Sequence, residues 1–216
     1  MDALYPLIVP EVMGCPSITI DSAIIRAAAE FCEKSTAWRE QLPDITLVDG
    51  TAEYTLTLPA GSRLVVIRER EAKLNGKPLS SVQNAAQISP EYVGIPSHYA
   101  QRGFNSVILS PTPANATGQV LSIYAALAPT LTATSLPAVL IDRYYEAISD
   151  GAKAILKRMP NQPWSDAARA ADHYQLFKQK TAEARIQQEH GLVAGNLSVR
   201  PRAFGGVRKP YPMEML

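Results

Sequence analysis

Glu30 and Glu33, two carboxylates three residues apart, are the nearest this sequence comes to an acid–base pair. On a helix the same spacing sets both on one side, where charged groups simply face water, and that reading accounts for them better. His98, His173 and His190 stand far apart, and none has a second His or Cys at metal-ligand spacing. His173 follows Asp172 inside a helical stretch and reads as a solvated residue. Cys15 and Cys32 are the only cysteines, too few for a zinc site or a disulfide framework, and read as reduced, buried small side chains. Trp38-Arg39 offers a ring and a cation for stacking a nucleobase, but a Trp fastening a helix end into the core is the better account. No GxSxG elbow, P-loop, HExxH or Gly-rich dinucleotide turn occurs. The expectation is a protein without catalytic residues, metal or cofactor.

Glu30, Cys32, Glu33, Trp38 and Arg39 are all carried by the stretch Ser17 to Leu42, SITIDSAIIRAAAEFCEKSTAWREQL. Ile20, Ile24, Ala27, Phe31 and Trp38 fall at helical spacing, with Asp21, Arg26, Glu30, Glu33, Lys34 and Arg39 largely off that stripe. Ser17 or Thr19 can cap the start behind Pro16, and Pro43 stops the run. Ala27-Ala28-Ala29 leaves a flat surface that a neighbouring helix can approach closely. So apolar a face needs partners from elsewhere in the chain.

With 216 residues, 46% of them hydrophobic and 19% charged, the chain can bury a real core. No apolar run reaches the length of about 20 that a membrane helix needs. The start, MDALYPLIVPEV, lacks a basic region ahead of an apolar one, so a secretory signal is not expected. Without export, the acceptor patterns at Asn115 and Asn196 carry no meaning. A net charge of +1 excludes a strongly basic nucleic-acid binder. Charge is nonetheless unevenly spread: residues 1–44 hold seven acids against Arg26, Lys34 and Arg39, and after Gly191 stand Arg200, Arg202, Arg208 and Lys209 against Glu214 alone. That division favours protein partners of opposite sign.

Residues 1–16, with prolines among short apolar groups, read as an extended arm whose Ile8 and Val9 pack beneath the first helix. Beyond Asp49-Gly50 the period becomes two. Tyr54 to Leu58, Leu64 to Ile67, His98 to Arg102, Asn105 to Leu109 and Gln119 to Leu127 read as strands, and Arg68 to Lys73 as a charged run. Asn75-Gly76 is a strong hairpin signal. Residues 80–97 read as a loop with one turn of helix. The helical period returns at Pro137, with Ile141, Tyr144, Ile148, Ala152, Ile155 and Met159 on one face. A second helix starts at Pro163, buries Ala167, Ala170, Tyr174, Phe177, Thr181 and Ala184, and closes at Gly191.

The expected class is therefore α+β: a three-helix antiparallel bundle (17–44 and 135–191), an inserted antiparallel sheet or small barrel (45–134), an N-terminal arm (1–16) and an extended C-terminal tail (192–216). In that tail the glycines and prolines forbid a continuous helix, yet Phe204, Val207, Tyr211 and Met213 alternate with the basic residues. Fully extended, its 25 residues reach about 80 Å.

Four stretches in this order resemble the head-to-tail adaptor (connector) proteins of tailed bacteriophages, with the best likeness among short-tailed phages. They are Gly14 to Glu40, with GCPS and AIIRAAAEFCEKSTAWRE; PSHYAQ from Pro96, leading to LSPTP at Leu109 to Pro113; IYAALAP, Ile123 to Pro129; and the helix pair closing on Gly191. The resemblance implies a non-enzymatic virion protein, present in the host cytoplasm during assembly. It implies a ring, usually of twelve copies, that joins the portal to the tail tube or nozzle, with a tail fibre as a further neighbour, and lets DNA pass through its lumen. It also implies a C-terminal extension that grips the portal. On position and composition, Arg200, Arg202, Phe204, Arg208, Lys209 and Tyr211 are expected to make that grip. Glu30, Glu33 and Glu40 are expected to line the channel, where carboxylates repel phosphate. The alternative is a nucleic-acid-binding module that uses the β region as a platform and the tail as a basic arm.

Overall fold

The N-terminal residues coil where an extended arm is expected. In the computed structural model, which describes residues 1–88 and 91–190, a one-turn helix α1 (Tyr5–Ile8) lies between 3-10 turns at Asp2–Leu4 and Val9–Glu11. Leu4, Ile8 and Val12 recur every four residues and are at most 1% exposed, a helical stripe hidden by the prolines around it. Pro6 and Pro10 stand in first turns, where a missing N–H removes no hydrogen bond. Ile8 packs inward as expected, whereas Val9 faces out.

Helix α2 (Ser17–Ser35) begins behind Pro16 without a side-chain cap and ends before the Leu42 that the apolar pattern suggests. Thr36 takes a φ of +53° and returns its N–H to the Cys32 carbonyl, which closes the helix. The Ser35 hydroxyl donates to the Phe31 carbonyl and accepts from the Ala37 N–H, so the exit is tied by its own side chain. Trp38 is buried at this junction, as a core anchor rather than an exposed stacking ring, and the chain passes directly into β1 (Arg39–Gln41).

After β1 come β2 (Ile45–Thr46), β3 (Glu53–Thr55), β4 (Ser62–Val66), β5 (Ala72–Leu74) and β6 (Lys77–Pro78). Then follow β7 (Ser80–Ser81), β8 (Val93–Gly94), β9 (His98–Arg102), β10 (Ser106–Ser110), β11 (Thr112–Pro113) and β12 (Val120–Pro129). The long strand β12 organises the largest sheet: Ala126 is paired with Arg39 and with Val66, and Leu121 with Ile45 and with Leu74. Ala125 to Ala128 are fully buried where the strand packs against α2, Leu127 filling core between the small side chains of Ala125, Ala126 and Ala128. Asn75 and Gly76 adopt positive φ at the β5–β6 hairpin, as their types demand.

A second sheet runs β3-β10-β9-β7, and β8 pairs with β11 alone. Among the described residues the strands thus sort into three sheets rather than one barrel. Two pairings, β7 with β9 and β8 with β11, are parallel, against the all-antiparallel expectation. Each involves a two-residue strand from the 80–97 loop, too short to show a period.

Helix α3 (Ala138–Lys157) follows Pro137, and α4 (Ala167–His190) starts later than the expected Pro163. The Asp166 carboxylate accepts the Arg169 N–H at 3.0 Å and so caps α4. Ala170, Phe177, Thr181 and Ala184 are buried as expected, Tyr174 is half-buried and Ala167 exposed. On α3, Tyr144, Ile148 and Ala152 are buried and Ile141 and Ile155 half-buried, while Met159, also half-buried, lies beyond the end of the helix.

The rings of Phe31 and Tyr144 are 5.0 Å apart, and those of Phe31 and Phe177 6.5 Å, so α2, α3 and α4 each contribute to one core. At Gly151 a Cβ atom would stand 2.9 Å from the Ala27 Cβ and 2.8 Å from the Phe177 ring, the close approach that the flat alanine surface permits. The class is α+β, with four α-helices, counting α1, among the described residues. The expected stop at Gly191 and the segment 192–216 lie outside the described residues.

Candidate functional site

The three expected channel carboxylates do not form one group. Glu30 and Glu33 share an open depression on α2 with Arg26, Lys34, Arg63 and Leu131. Each has its own cation: Lys34 Nζ is 2.5 Å from Glu30, and Arg63 reaches from β4 to Glu33. The Glu30 hydrogen bond raises the Lys34 ammonium above its usual range. Glu40 lies apart on β1, beside Pro43, Leu58 and Pro59, and accepts a hydrogen bond from the Trp38 indole at 3.2 Å. The surface around Glu30 and Glu33 is of mixed sign, with no free acid pair. The expected portal-binding residues Arg200, Arg202, Phe204, Arg208, Lys209 and Tyr211 all lie outside the described residues.

His173 is the main departure from expectation. Its side chain is only 15% exposed, with Nε2 3.0 Å from Glu11 Oε2 and Nδ1 3.1 Å from Asp150 Oδ1. Further cations hold the same carboxylates: Lys153 Nζ lies 2.7 Å from Glu11 Oε1, and Lys180 Nζ lies 2.9 Å from Asp150 Oδ2. Lys157, 4% exposed, donates to the Glu11 carbonyl at 3.0 Å. Burial alone would raise the Glu11 carboxyl, but hydrogen bonds from Lys153 and His173 outweigh it and hold the pKa at about 2. Burial likewise opposes the charge of Lys180, whose hydrogen bonds to Asp150 and Glu146 prevail and raise it. The cluster fastens the N-terminal coil to α3 and α4. Its carboxylates are all engaged by cations, an arrangement suited to fixing elements rather than to moving protons. The spacing could not reveal it, because Glu11 and Asp150 are 162 and 23 residues from His173.

A second cluster lies where β4 ends. Arg68 Nη1 donates to the Gln188 carbonyl of α4 at 3.1 Å, and Nη2 to the Thr36 hydroxyl at the end of α2 at 2.5 Å. Arg39 pairs with Glu71 and covers the Tyr124 ring, its guanidinium 4.8 Å from the centroid. Burial, then the neighbouring Arg68 charge, lowers the Arg39 pKa. The sequence shows Arg68 to Lys73 only as a charged run.

Cys32 is fully buried, which pushes its thiol up to about 12 and keeps it from acting as a nucleophile near neutral pH. Cys15 is only half-buried, against expectation, and both thiols are free. Among the described residues, no group of three or more His, Cys, Asp or Glu is placed to hold a metal ion. No described helix is long and apolar enough to cross a membrane.

No curated protein matches the chain. A family model described as SU10 adaptor protein matches residues 10–201, which takes in the β region and all three long helices and begins at the end of the N-terminal coil. The chain therefore belongs to the SU10 adaptor protein family.

Proposed function

We propose that this chain is a structural head-to-tail adaptor of a short-tailed bacteriophage. Its copies close into a ring, usually of twelve, between the portal and the tail tube or nozzle, and DNA passes through the lumen. The family match over residues 10–201 is the observation that carries this reading. The charged clusters agree with it, because their groups tie elements of the fold together instead of converging on an open pocket. Within the same proposal, Arg200, Arg202, Phe204, Arg208, Lys209 and Tyr211 hold the portal. Short segments with a few aromatic and basic anchors bind weakly one at a time, but a closed ring presents all its copies together. Glu30, Glu33 and Glu40 are proposed to face the lumen, where Lys34 and Arg63 temper the field of the first two.

The test is the mass of the purified full-length protein, measured with and without purified portal. The expected result is a ring-sized complex with portal that is lost when residues 192–216 are deleted. A protein that stays monomeric beside the portal overturns the adaptor reading; undiminished co-sedimentation of the deletion variant overturns the role of the tail. Salt-sensitive binding of the isolated monomer to bare DNA would instead favour a nucleic-acid-binding module.

A further inference from the structure

We infer that Arg68 is a positioning residue that fixes the point from which the C-terminal segment leaves the fold, an inference that rests on the reading of that segment as the portal grip. The last described turn of α4 is held from two directions, at the Gln188 carbonyl and at the Gln188 side-chain amide. Arg68 reaches the Gln188 carbonyl, the same guanidinium reaches Thr36 at the end of α2, and the Gln188 amide donates to the Tyr144 hydroxyl of α3 at 3.4 Å. Helix C-termini carry unpaired carbonyls and partial negative charge, and the planar Arg68 fork satisfies one such carbonyl on α4, that of Gln188, while its other arm reaches the Thr36 hydroxyl beyond α2. Thr36 and Gln188 are 152 residues apart in the chain, and Arg68 is the side chain that joins their helix ends.

Arg68 is itself held. The Tyr99 hydroxyl, on a side chain 1% exposed, donates to the Arg68 carbonyl at 2.8 Å and to the Ile67 carbonyl at 3.3 Å. Neighbouring Glu71 is taken by Arg39, so it does not draw the Arg68 guanidinium away from the helices. Hydrogen bonds from the second sheet thus fix the backbone of the residue that fixes the end of α4. A helix end free to fray would let the root of the following segment wander and dilute its effective concentration at any docking site. A clamped root keeps every copy's segment aimed alike.

The experiment compares full-length wild type, Arg68→Met and Arg68→Lys by amide hydrogen exchange and by portal co-sedimentation, with thermal melting as a control. In Arg68→Met, exchange across residues 185–190 should rise about tenfold, as loss of a charged hydrogen bond predicts. Exchange in β12 and in α2 ahead of its last turn should be unaltered, and portal affinity should fall at least threefold, in keeping with a broader distribution of root positions. Arg68→Lys keeps the charge but not the fork, and should fall between the two. If the Met variant fails to fold, the Lys variant alone decides on the same segment. Unchanged exchange at 185–190 overturns the inference, and so does a loosened turn with undiminished portal binding. If instead the 192–216 deletion binds portal normally, the portal reading fails, while the exchange data still judge the hold of Arg68 on α4.

Discussion

At the scale of single residues, Glu11 is where charge and packing meet. Its carboxyl titrates at about 2 against an ordinary 4.5, because Lys153 and His173 favour the ionised form more than burial opposes it. A depressed folded-state pKa contributes stability that is fully present above the ordinary value and drains away as pH falls from about 4.5 to 2. Glu11→Gln should therefore lower stability by about 2 kcal/mol at pH 7, a figure reduced from the full shift because the group still touches water. The gap between variant and wild type should close by pH 2. Urea unfolding of both proteins at several pH values checks this, and a gap independent of pH would show that the carboxylate charge contributes nothing. This cluster was not legible in the sequence. His173 beside Asp172 looks like any polar helix residue, because its real partners come from elements that only the fold brings near. Buried Trp38 and Cys32 were legible, since apolar character alone predicts where they go.

Elements obey periodicity where they are long enough to have one. The spacing places α2, α3, α4 and β12 correctly, and each is long. It fails at ends, where a single backbone choice decides. Thr36 turns left-handed and stops α2, although the apolar pattern runs on through Trp38 and Leu42. Two-residue strands such as β7 and β8 carry no pattern at all, and tertiary pairing alone makes them strands. The N-terminal coil was missed for another reason: its prolines outweighed the four-residue spacing of Leu4, Ile8 and Val12. The triple alanine of α2 did foretell a close helix contact, and Gly151 is its counterpart on α3. Gly151→Ala gains about 1 kcal/mol of helix propensity. The new methyl, however, would meet Ala27 and the Phe177 ring inside 3.0 Å, an overpacking that costs about 1–3 kcal/mol. The expected net effect is destabilisation by about 1 kcal/mol, read from the urea midpoint. Truncating one partner as well, in Phe177→Leu, should reduce the penalty at Gly151 without abolishing it, since the Ala27 Cβ still stands 2.9 Å from the new methyl.

For the whole molecule, the decisive number is how many C-terminal segments act together. On the proposed reading each carries a few anchors, Phe204 and Tyr211 among Arg200, Arg202, Arg208 and Lys209, and a segment that orders on binding would lose part of its contact energy to that ordering. One copy should hold the portal weakly; a ring that has engaged one segment presents the next at a high effective concentration. Binding should therefore depend on the intact fraction more steeply than in proportion. Mixing full-length protein with the 192–216 deletion before adding portal makes that fraction adjustable. If the segments act together, rings with half of them removed should retain far less than half of the portal captured by intact rings at limiting concentration. The salt dependence of the remaining capture should also be shallower, since fewer basic side chains engage at once. Capture that falls in simple proportion would mean that the segments bind independently, and the ring would then gain nothing by closing before it docks.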